Sequence, residues 1–203
     1  MKTIKFLTLL AIFIGFSSCS NDDDNDTPVL AVEAETVSNL YAPQEGGQGE
    51  PISGQFTKFD FTTGAMTTSS TDWDIAFRGT DIIINGGMSY GAADEPERTG
   101  DAAAYMASGT FNSVVSVDSS LLEQDSVNGY VLSDWYTYSG PPTHAINPTA
   151  GKILVIRTRD GKFAKMEILS YYENGQPNEG YTNYRYYTFN YVYQPNQGET
   201  VFE

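Results

Sequence analysis

The segment Lys152–Tyr172, KILVIRTRDGKFAKMEILSYY, decides how the chain folds. It opens with the apolar run Ile153–Ile156, which is rich in β-branched residues and too short for a typical helix, so it indicates a buried strand. Gly161 follows at a position where a tight hairpin needs a positive φ. In the next segment apolar residues alternate with Lys165 and Glu167, which is typical of a strand with one solvated face. The segment therefore predicts a β-hairpin at the centre of the core.

Short apolar segments elsewhere in the chain predict further strands. Trp73, Ile75 and Phe77 alternate with other residues and are expected on one inward face, and Ile82–Ile84 is a second buried run. The aromatic alternation of Tyr184–Tyr193 predicts a strand that pairs with the hairpin. Many short strands separated by turns rich in glycine and proline predict one all-β domain of sandwich or open-barrel type.

Helical structure is expected only in short pieces. Residues 101–106 contain three consecutive alanines after an aspartate that can cap a helix, so they predict a short helix. Residues 111–117 are expected to form a strand, and residues 119–124 a single helical turn. The predicted fold is thus all-β, with at most one or two short helices.

The first 18 residues are typical of a lipoprotein signal peptide. Lys2 and Lys5 precede the apolar segment Phe6–Phe16, and small residues come before Cys19. The apolar run is too short to span a bilayer comfortably. Cys19 is the only cysteine, so it cannot form an internal disulfide. We therefore expect cleavage before Cys19 and lipidation of that cysteine.

Residues 19–36 are expected to form an acidic, disordered tether, and residues 37–203 a single β domain. The run from Ser20 to Asp26 has no apolar residue and carries a block of like charge. The whole chain has a net charge of −15. Such a charge repels nucleic acid and anionic lipid headgroups, so neither is an expected partner.

Few residue patterns support catalysis or a conventional metal site. His144 is the only histidine, so a nucleophile–histidine pair or a zinc site has too few ligands to draw on. The acids of residues 94–101 are spaced too irregularly for a calcium loop, and we interpret them as a solvated acidic loop. Paired carboxylates for glycoside hydrolysis stay possible, but no pair stands out among the 26 acids. We expect a binding protein and not an enzyme.

Three segments together resemble the HmuY family, which are haem-binding lipoproteins of the Bacteroidetes. They are SSTDWDIAFRGTDIIINGG (Ser69–Gly87), WYTYSGPPTHAINP (Trp135–Pro148) and the hairpin, and they keep the family's order over about Ser53–Tyr193. The resemblance implies a hemophore-like protein for iron acquisition, which binds haem and passes it to a TonB-dependent outer-membrane transporter. The acidic tract after Cys19 resembles the signal that sends such lipoproteins to the cell surface. The implied location is the outer membrane, with a lipid anchor and surface exposure.

The resemblance also implies axial ligands for haem iron, as histidine pairs or methionine pairs. Members that bind through histidines take one ligand just after the tryptophan matching Trp135. A gap-free match puts that position at Gly140, which cannot ligate, and His144 lies four residues further on. His144 is therefore either an axial ligand that reaches the iron after its loop moves, or a side chain that hydrogen bonds to a neighbouring loop. The second role is common for neutral imidazole.

By family order, the second ligand comes from residues 98–111. Met106 is the only soft ligand there, although methionine also serves commonly as core filling. Met88 is the reserve candidate, and Tyr105 or Tyr136 follows if neither methionine binds. Haem iron is the only metal that we expect.

Two rival functions stay open. The first is a binding module of the same fold that lacks haem and recognises a glycan, a peptide or a host protein through its aromatic surface. The second, which we favour less, is an enzyme acting on surface polysaccharide.

Replacing Cys19 with alanine tests the anchor. Because the thiol that would carry the lipid is removed, the variant should accumulate as uncleaved precursor or as soluble protein. Cell fractionation followed by immunoblotting measures the outcome. Alanine at Asp22, Asp23 and Asp24 should instead keep the anchor and lower the protease accessibility of the protein on whole cells. A Cys19→Ala protein that is processed and still fractionates with the membrane would contradict lipidation.

Overall fold

The computed structural model describes residues 29–203, which contain thirteen β-strands and three single-turn 3₁₀ helices. The strands are β1 (Glu33–Tyr41), β2 (Glu45–Gly47), β3 (Glu50–Ser53), β4 (Thr57–Asp60), β5 (Ala65–Thr67), β6 (Ile75–Arg78), β7 (Asp81–Ile84), β8 (Ala103–Ser108), β9 (Tyr136–Tyr138), β10 (Ile146–Pro148), β11 (Lys152–Arg157), β12 (Phe163–Tyr172) and β13 (Tyr184–Gln194). The 3₁₀ helices are Phe111–Ser113, Ser119–Leu121 and Glu173–Gly175. The predicted leader, Cys19 and the tract 20–26 lie outside the described residues.

Two antiparallel sheets form the body. The first has the strand order β1-β13-β12-β11-β8, and the second has the order β5-β4-β6-β7. The pairs β9–β10 and β2–β3 form separate hairpins. Glu33–Thr36, the last four residues of the predicted tether, belong to β1 and pair with β13, so the folded body begins earlier than residue 37. No helix within residues 29–203 is long and apolar enough to cross a bilayer.

The hairpin predicted from Lys152–Tyr172 lies in the middle of the first sheet. Its strands pair in a register that sets Leu154 opposite Met166 and Ile156 opposite Ala164. Strand β13 pairs with the free side of β12, as the aromatic alternation predicts. In these two pairs of the hairpin, the side chains face the second sheet and are fully buried in the space between the two sheets; they are Leu154, Ile156, Ala164 and Met166.

The two sheets pack face to face through aromatic rings. The ring centre of Phe59 in β4 lies 5.5 Å from that of Phe189 in β13, and that of Phe77 in β6 lies 4.8 Å from Tyr187. Offset and edge-on contacts of this kind are favourable beyond the area that they bury. The packing confirms the predicted all-β domain, and of the two predicted types, sandwich or open barrel, the two facing sheets form a sandwich.

The outer face of β12 is covered at Phe163 and Lys165, contrary to the prediction of a solvated face. Residues 111–117 and the C-terminal residues 199–203 lie across it and bury a second apolar cluster. Lys165 is only 5% exposed, and its ammonium donates to the carbonyl oxygens of Phe111 and Val114 at 2.8 and 2.9 Å. Burial lowers the pKa of this ammonium. The first half of the strand therefore has two covered faces, and Lys165 holds the cover in place, whereas Leu169 further along the outer face is exposed.

Two local predictions of secondary structure are wrong. Residues 101–106 do not form a helix, because residues 103–108 form β8 and pair with β11. The small alanine side chains of β8 fit the crowded core, and tertiary pairing outweighs their helix propensity. Residues 111–117 form a 3₁₀ turn and an irregular segment instead of a strand. The helical turn predicted at residues 119–124 is present as Ser119–Leu121.

Trp73 does not share a face with Ile75 and Phe77. The strand β6 begins at Ile75, so the alternation does not extend back to Trp73. Its indole packs in a separate cluster with Phe56, and its N–H donates to the carbonyl oxygen of Ser70 at 3.2 Å. Trp73 is thus buried, but on the outer side of the second sheet.

An ion cluster ties the β11–β12 turn to the second sheet. One guanidinium nitrogen of Arg159 lies 2.9 Å from a carboxylate oxygen of Asp60 and 3.2 Å from one of Asp74. Asp74 also accepts the backbone N–H groups of Phe61 and Arg159. Burial raises the pKa of the Asp74 carboxyl to about 6, although these donors act in the opposite direction.

Leucine-to-alanine substitutions on the hairpin test the burial pattern. Leu154 is 1% exposed and Leu169 is 46% exposed. Leu154→Ala should lower the free energy of unfolding by about 2–5 kcal/mol because it leaves a cavity between the sheets. Leu169→Ala, the matched control, should change it by about 0.5 kcal/mol or less. Denaturant titration measures both values, and a larger loss for Leu169→Ala would place the wrong face of β12 in the core.

The pH dependence of stability tests the buried carboxyl. The pKa of Asp74 is about 6 in the folded protein and about 3.9 in the unfolded chain, so the folded state holds this proton more tightly. The group therefore adds stability below pH 4, and that stability is lost as the pH rises through 6. Asp74→Asn should remove this contribution, about 2–3 kcal/mol, from the difference between pH 4 and pH 7. A wild-type pH profile in denaturant titrations of Asp74→Asn would contradict the buried, protonatable carboxyl.

Candidate functional site

The loop between β9 and β10 presents the only histidine. His144 has a backbone φ of 51°, and its N–H donates to the carbonyl oxygen of Gly140 at 2.9 Å. The Ser139 hydroxyl accepts the N–H of Ala145 at 2.8 Å, which closes the loop on itself. The backbone around His144 is therefore held by its own hydrogen bonds, and the imidazole projects from the surface.

Trp135 fixes this hairpin against the sandwich. Its indole N–H donates to the carbonyl oxygen of Thr80, in the turn between β6 and β7, at 2.9 Å. Its ring centre lies 5.2 Å from that of Tyr187 and 5.7 Å from that of Tyr171. The hairpin consequently rests on both sheets at once.

A cleft of about 420 Å³ opens between this hairpin and the ends of β12 and β13, and we call it the tyrosine cleft. It is lined by Gln44, Gln48, Ile52, Thr80, Tyr138, His144, Ile146, Tyr171, Tyr172, Tyr184 and Arg185. The Tyr138 hydroxyl is hydrogen bonded to Nδ1 of His144. The Tyr172 hydroxyl accepts the N–H of Ile146 at 2.9 Å. The cleft thus places one imidazole beside four phenol rings.

The deeper phenols stay neutral. Burial raises the pKa of the Tyr171 hydroxyl and of the Tyr172 hydroxyl. Neutral phenols donate and accept hydrogen bonds but bind iron poorly compared with phenolates. Tyr171 and Tyr172 therefore suit the walls and floor of a binding site better than the role of metal ligands.

Arg185 supplies the only positive side chain among the lining residues. One of its guanidinium nitrogens donates to the carbonyl oxygen of Gln44 at 2.8 Å. The Tyr171 hydroxyl lines the same cleft, and the charge of Arg185 partly offsets the rise that burial causes in the pKa of Tyr171. Its central carbon lies 5.0 Å from the ring centre of Tyr184. Arg185 has a backbone φ of 74°, which turns its side chain out of the regular strand pattern.

The methionine candidates lie elsewhere. Met106 is in β8 opposite Leu154, half-buried against the core, and lines a different cleft of about 270 Å³ together with Tyr105. Met88 is 58% exposed, and its backbone N–H donates to the carbonyl oxygen of Asp125. The structure does not bring either methionine into the tyrosine cleft with His144.

The two reserve tyrosines have other contacts. The Tyr105 hydroxyl accepts the backbone N–H of Asp118 at 3.0 Å, next to the cleft of Met106. The Tyr136 ring packs against Trp135, with ring centres 4.9 Å apart, at the edge of the main core. Neither residue lines the tyrosine cleft.

The sequence profile of the HmuY protein family matches residues 53–186. The chain belongs to the HmuY family. The match runs from β3 into β13 and includes every residue of the β9–β10 hairpin. It therefore confirms the resemblance carried by the tryptophan-containing segments and the central hairpin. A comparison with curated protein sequences gives no match.

Solved structures share the fold. An apo HmuY analogue of Tannerella forsythia has a TM-score of 0.55 at 14% identity, over 84% of this chain and 100% of that chain. A candidate lipoprotein of Bacteroides fragilis has a TM-score of 0.49 at 13% identity, over 81% and 90%. A candidate HmuY-like haem-binding protein of Bacteroides vulgatus has a TM-score of 0.40 at 17% identity, over 81% and 93%. The first of these supports the all-β HmuY-like fold.

The acidic residues 94–101 of this HmuY-family protein do not form a solvated loop throughout. The carboxylate of Glu95 is buried, lies 2.7 Å from the guanidinium of Arg98 and accepts the hydroxyl of Tyr130. Arg98 also contacts Asp125 at 3.2 Å. These acids hold the loop together, and within residues 29–203 no group of three or more His, Cys, Asp or Glu side chains is placed to hold a metal ion.

Sequence reasoning missed most of the cleft. It singled out His144 because no other imidazole is present, but it assigned no role to Arg185, Tyr171 or Tyr172. The only available signal was one arginine inside the aromatic run Tyr184–Tyr193, where it interrupts the strand pattern. That signal identifies an unusual residue but does not reveal which loop faces it.

Proposed function

We propose that this HmuY-family protein is a surface lipoprotein that binds haem in the tyrosine cleft and passes it to a TonB-dependent outer-membrane transporter. The observation that carries the proposal is the position of the only imidazole, which stands at the mouth of an aromatic cleft in the β domain. Membership of the HmuY family supports a binding function over catalysis. Lipidation at Cys19 and export to the cell surface belong to the same proposal.

The lining of the cleft fits a porphyrin. Ligand sites for molecules of this class have volumes of about 300–1,000 Å³ and combine apolar walls with a few polar groups. The tyrosine cleft has about 420 Å³ and is walled by the rings of Tyr138, Tyr171, Tyr172 and Tyr184. Phenol rings favour stacking against a flat aromatic macrocycle, and their hydroxyls remain available for water or for polar substituents.

His144 is the axial ligand in this proposal. A histidine that binds a metal through Nε2 carries its proton on Nδ1 and donates it to a neighbouring acceptor, which fixes the ring. The Tyr138 hydroxyl is hydrogen bonded to Nδ1 and can act as that acceptor. Haem supplies the iron that His144 would bind, and the protein supplies the ring orientation and the aromatic walls.

Met106 and Met88 remain the candidates for a second axial ligand. Neither lines the tyrosine cleft, so either methionine needs a movement of its segment to reach iron held by His144. Met88 is the more exposed of the two, whereas Met106 is held by the pairing of β8 with β11. The proposal therefore assigns the first ligand to His144 and leaves the second to be decided between these two residues.

The rival proposal is a binding module without haem. The rings of Tyr41 and Tyr186 stack with centres 4.7 Å apart, and Tyr41 is 45% exposed. An exposed pair of this kind can bind the apolar face of a sugar or a peptide side chain. This platform lies on neighbouring strands at the same end of the sheet as the tyrosine cleft.

Haemin titration tests the proposed ligand. Wild-type protein should give a shifted Soret band, and His144→Ala should weaken binding by more than about 10-fold and lose the shift. Tyr138→Phe removes only the partner of Nδ1, so it should bind less tightly while keeping a shifted band. Met106→Ala and Met88→Ala, each measured in the ferric and the ferrous state, decide which thioether takes part. Met66→Ala, on the exposed strand β5, is the matched control.

Two outcomes separate the proposals. A wild-type protein with no shifted Soret band would reject haem binding and favour the module that uses the Tyr41–Tyr186 platform. A shifted band that is the same in His144→Ala would keep haem binding and remove the imidazole from it. Circular dichroism of each variant checks that a loss of haemin binding does not come from a loss of the fold.

A further inference from the structure

We infer that Arg185 makes the tyrosine cleft a carboxylate subsite, so that the protein selects a planar aromatic carboxylic acid whether or not the ring carries a metal. The inference rests on the proposed function, because it concerns the same cleft. The inference adds to the proposed function that the ligand's acidic group is recognised by Arg185, a residue that binds no iron.

Arg185 differs from the other arginines in its partners. Four of the five arginines have a carboxylate oxygen within 4.0 Å, at 3.7 Å for Arg78–Asp81, 2.7 Å for Arg98–Glu95, 2.9 Å for Arg157–Asp101 and 2.9 Å for Arg159–Asp60. Within residues 29–203, Arg185 has no such partner. The chain has 26 acidic and only 11 basic residues, so acidic residues are plentiful and their number does not explain why Arg185 has no carboxylate partner.

A partly buried guanidinium without a counter-charge is costly unless something neutralises it. Arg185 is partly buried, and its contacts within residues 29–203 are neutral: the carbonyl oxygen of Gln44 and the face of the Tyr184 ring. These contacts use only part of its five N–H donors. They also hold the planar group in one orientation, which favours bidentate binding of a carboxylate.

The rest of the cleft specifies the kind of acid. The net charge of −15 repels anions from most of the surface, so an anionic ligand needs this local cation to enter. The neutral phenols of Tyr171 and Tyr172 add hydroxyl groups beside it, and the tyrosine rings favour a flat aromatic body. The combination fits an aromatic ring system that carries a flexible carboxylate, as a porphyrin diacid does.

Metal-free protoporphyrin IX and its dimethyl ester provide the test, with quenching of tryptophan fluorescence as the measurement. The two ligands share the ring and differ in charge, so the comparison on wild-type protein needs no substitution. The diacid should bind about 10- to 100-fold more tightly than the ester, because charge-assisted hydrogen bonds are lost in the ester. Inorganic phosphate, added as a competitor, shows whether the subsite takes any anion or needs the aromatic body.

Substitutions assign the difference to the residue. Arg185→Gln should weaken the diacid by a similar factor and leave the ester unchanged, while Arg185→Lys should keep part of the preference. Arg157→Gln removes an arginine that is paired with Asp101 outside the cleft and is the matched control. His144→Ala should leave the metal-free diacid bound.

The outcomes distinguish the inference from the proposed function. Equal binding of diacid and ester to wild-type protein, or equal effects of Arg185→Gln and Arg157→Gln, would overturn the carboxylate subsite, even if haemin still gives a His144-dependent Soret shift. Diacid binding that depends on Arg185 supports the subsite, even if haemin shows no ligation by His144. No binding of either metal-free porphyrin would overturn the carboxylate subsite and would leave haem binding to be decided by the haemin titration.

Discussion

The pairing of β12 with β13 is the contact on which the rest of the structure depends. It sets Ile168 opposite Phe189 and Met166 opposite Tyr191, and these side chains fill the space between the two sheets. A shift of one residue would turn this whole set away from the second sheet, so the core fixes the register. The same register brings the end of β12 next to the start of β13, where the tyrosine cleft opens. Core packing and the geometry of the cleft are therefore set by one strand pair.

Much of the sandwich could be predicted, because its strongest signals are local. The run Ile153–Ile156 and the aromatic alternation of Tyr184–Tyr193 each indicate a strand without any knowledge of what packs against it. The errors arise where distant chain segments decide the outcome. Residues 101–106 are a strand because β11 pairs with them, which outweighs the weak helix preference of alanine. Lys165 is buried because the C-terminus crosses a face that the alternation indicates is solvated.

The candidate site could be predicted only in part. His144 was identifiable from its uniqueness, since a site that needs an imidazole has no other source in this chain. Arg185 and Tyr171 are 14 residues apart in sequence, and they meet only because the ends of two strands adjoin at the cleft. Arg185 is unusual only because each of the other four arginines forms an ion pair with a carboxylate. Some of those carboxylates are three residues away in the chain, and others are more than 50 residues away. Such partners are set by tertiary structure and leave no pattern in composition or periodicity.

Strand β1 gives the molecule two poles. It runs from Glu33, opposite Tyr193, to Tyr41, opposite Tyr186, so the chain enters at one end of the sheet and the cleft lies at the other, about 30 Å away. With a lipid at Cys19, the 13 residues from Ser20 to Val32 reach at most about 45 Å from the bilayer. A ligand arriving from outside would then meet the cleft first, at the pole farthest from the membrane. If the protein delivers its ligand to a transporter in that membrane, as proposed, the body would have to turn its cleft toward the bilayer, and the number of residues between Cys19 and β1 would limit how far from the transporter the lipid can be anchored.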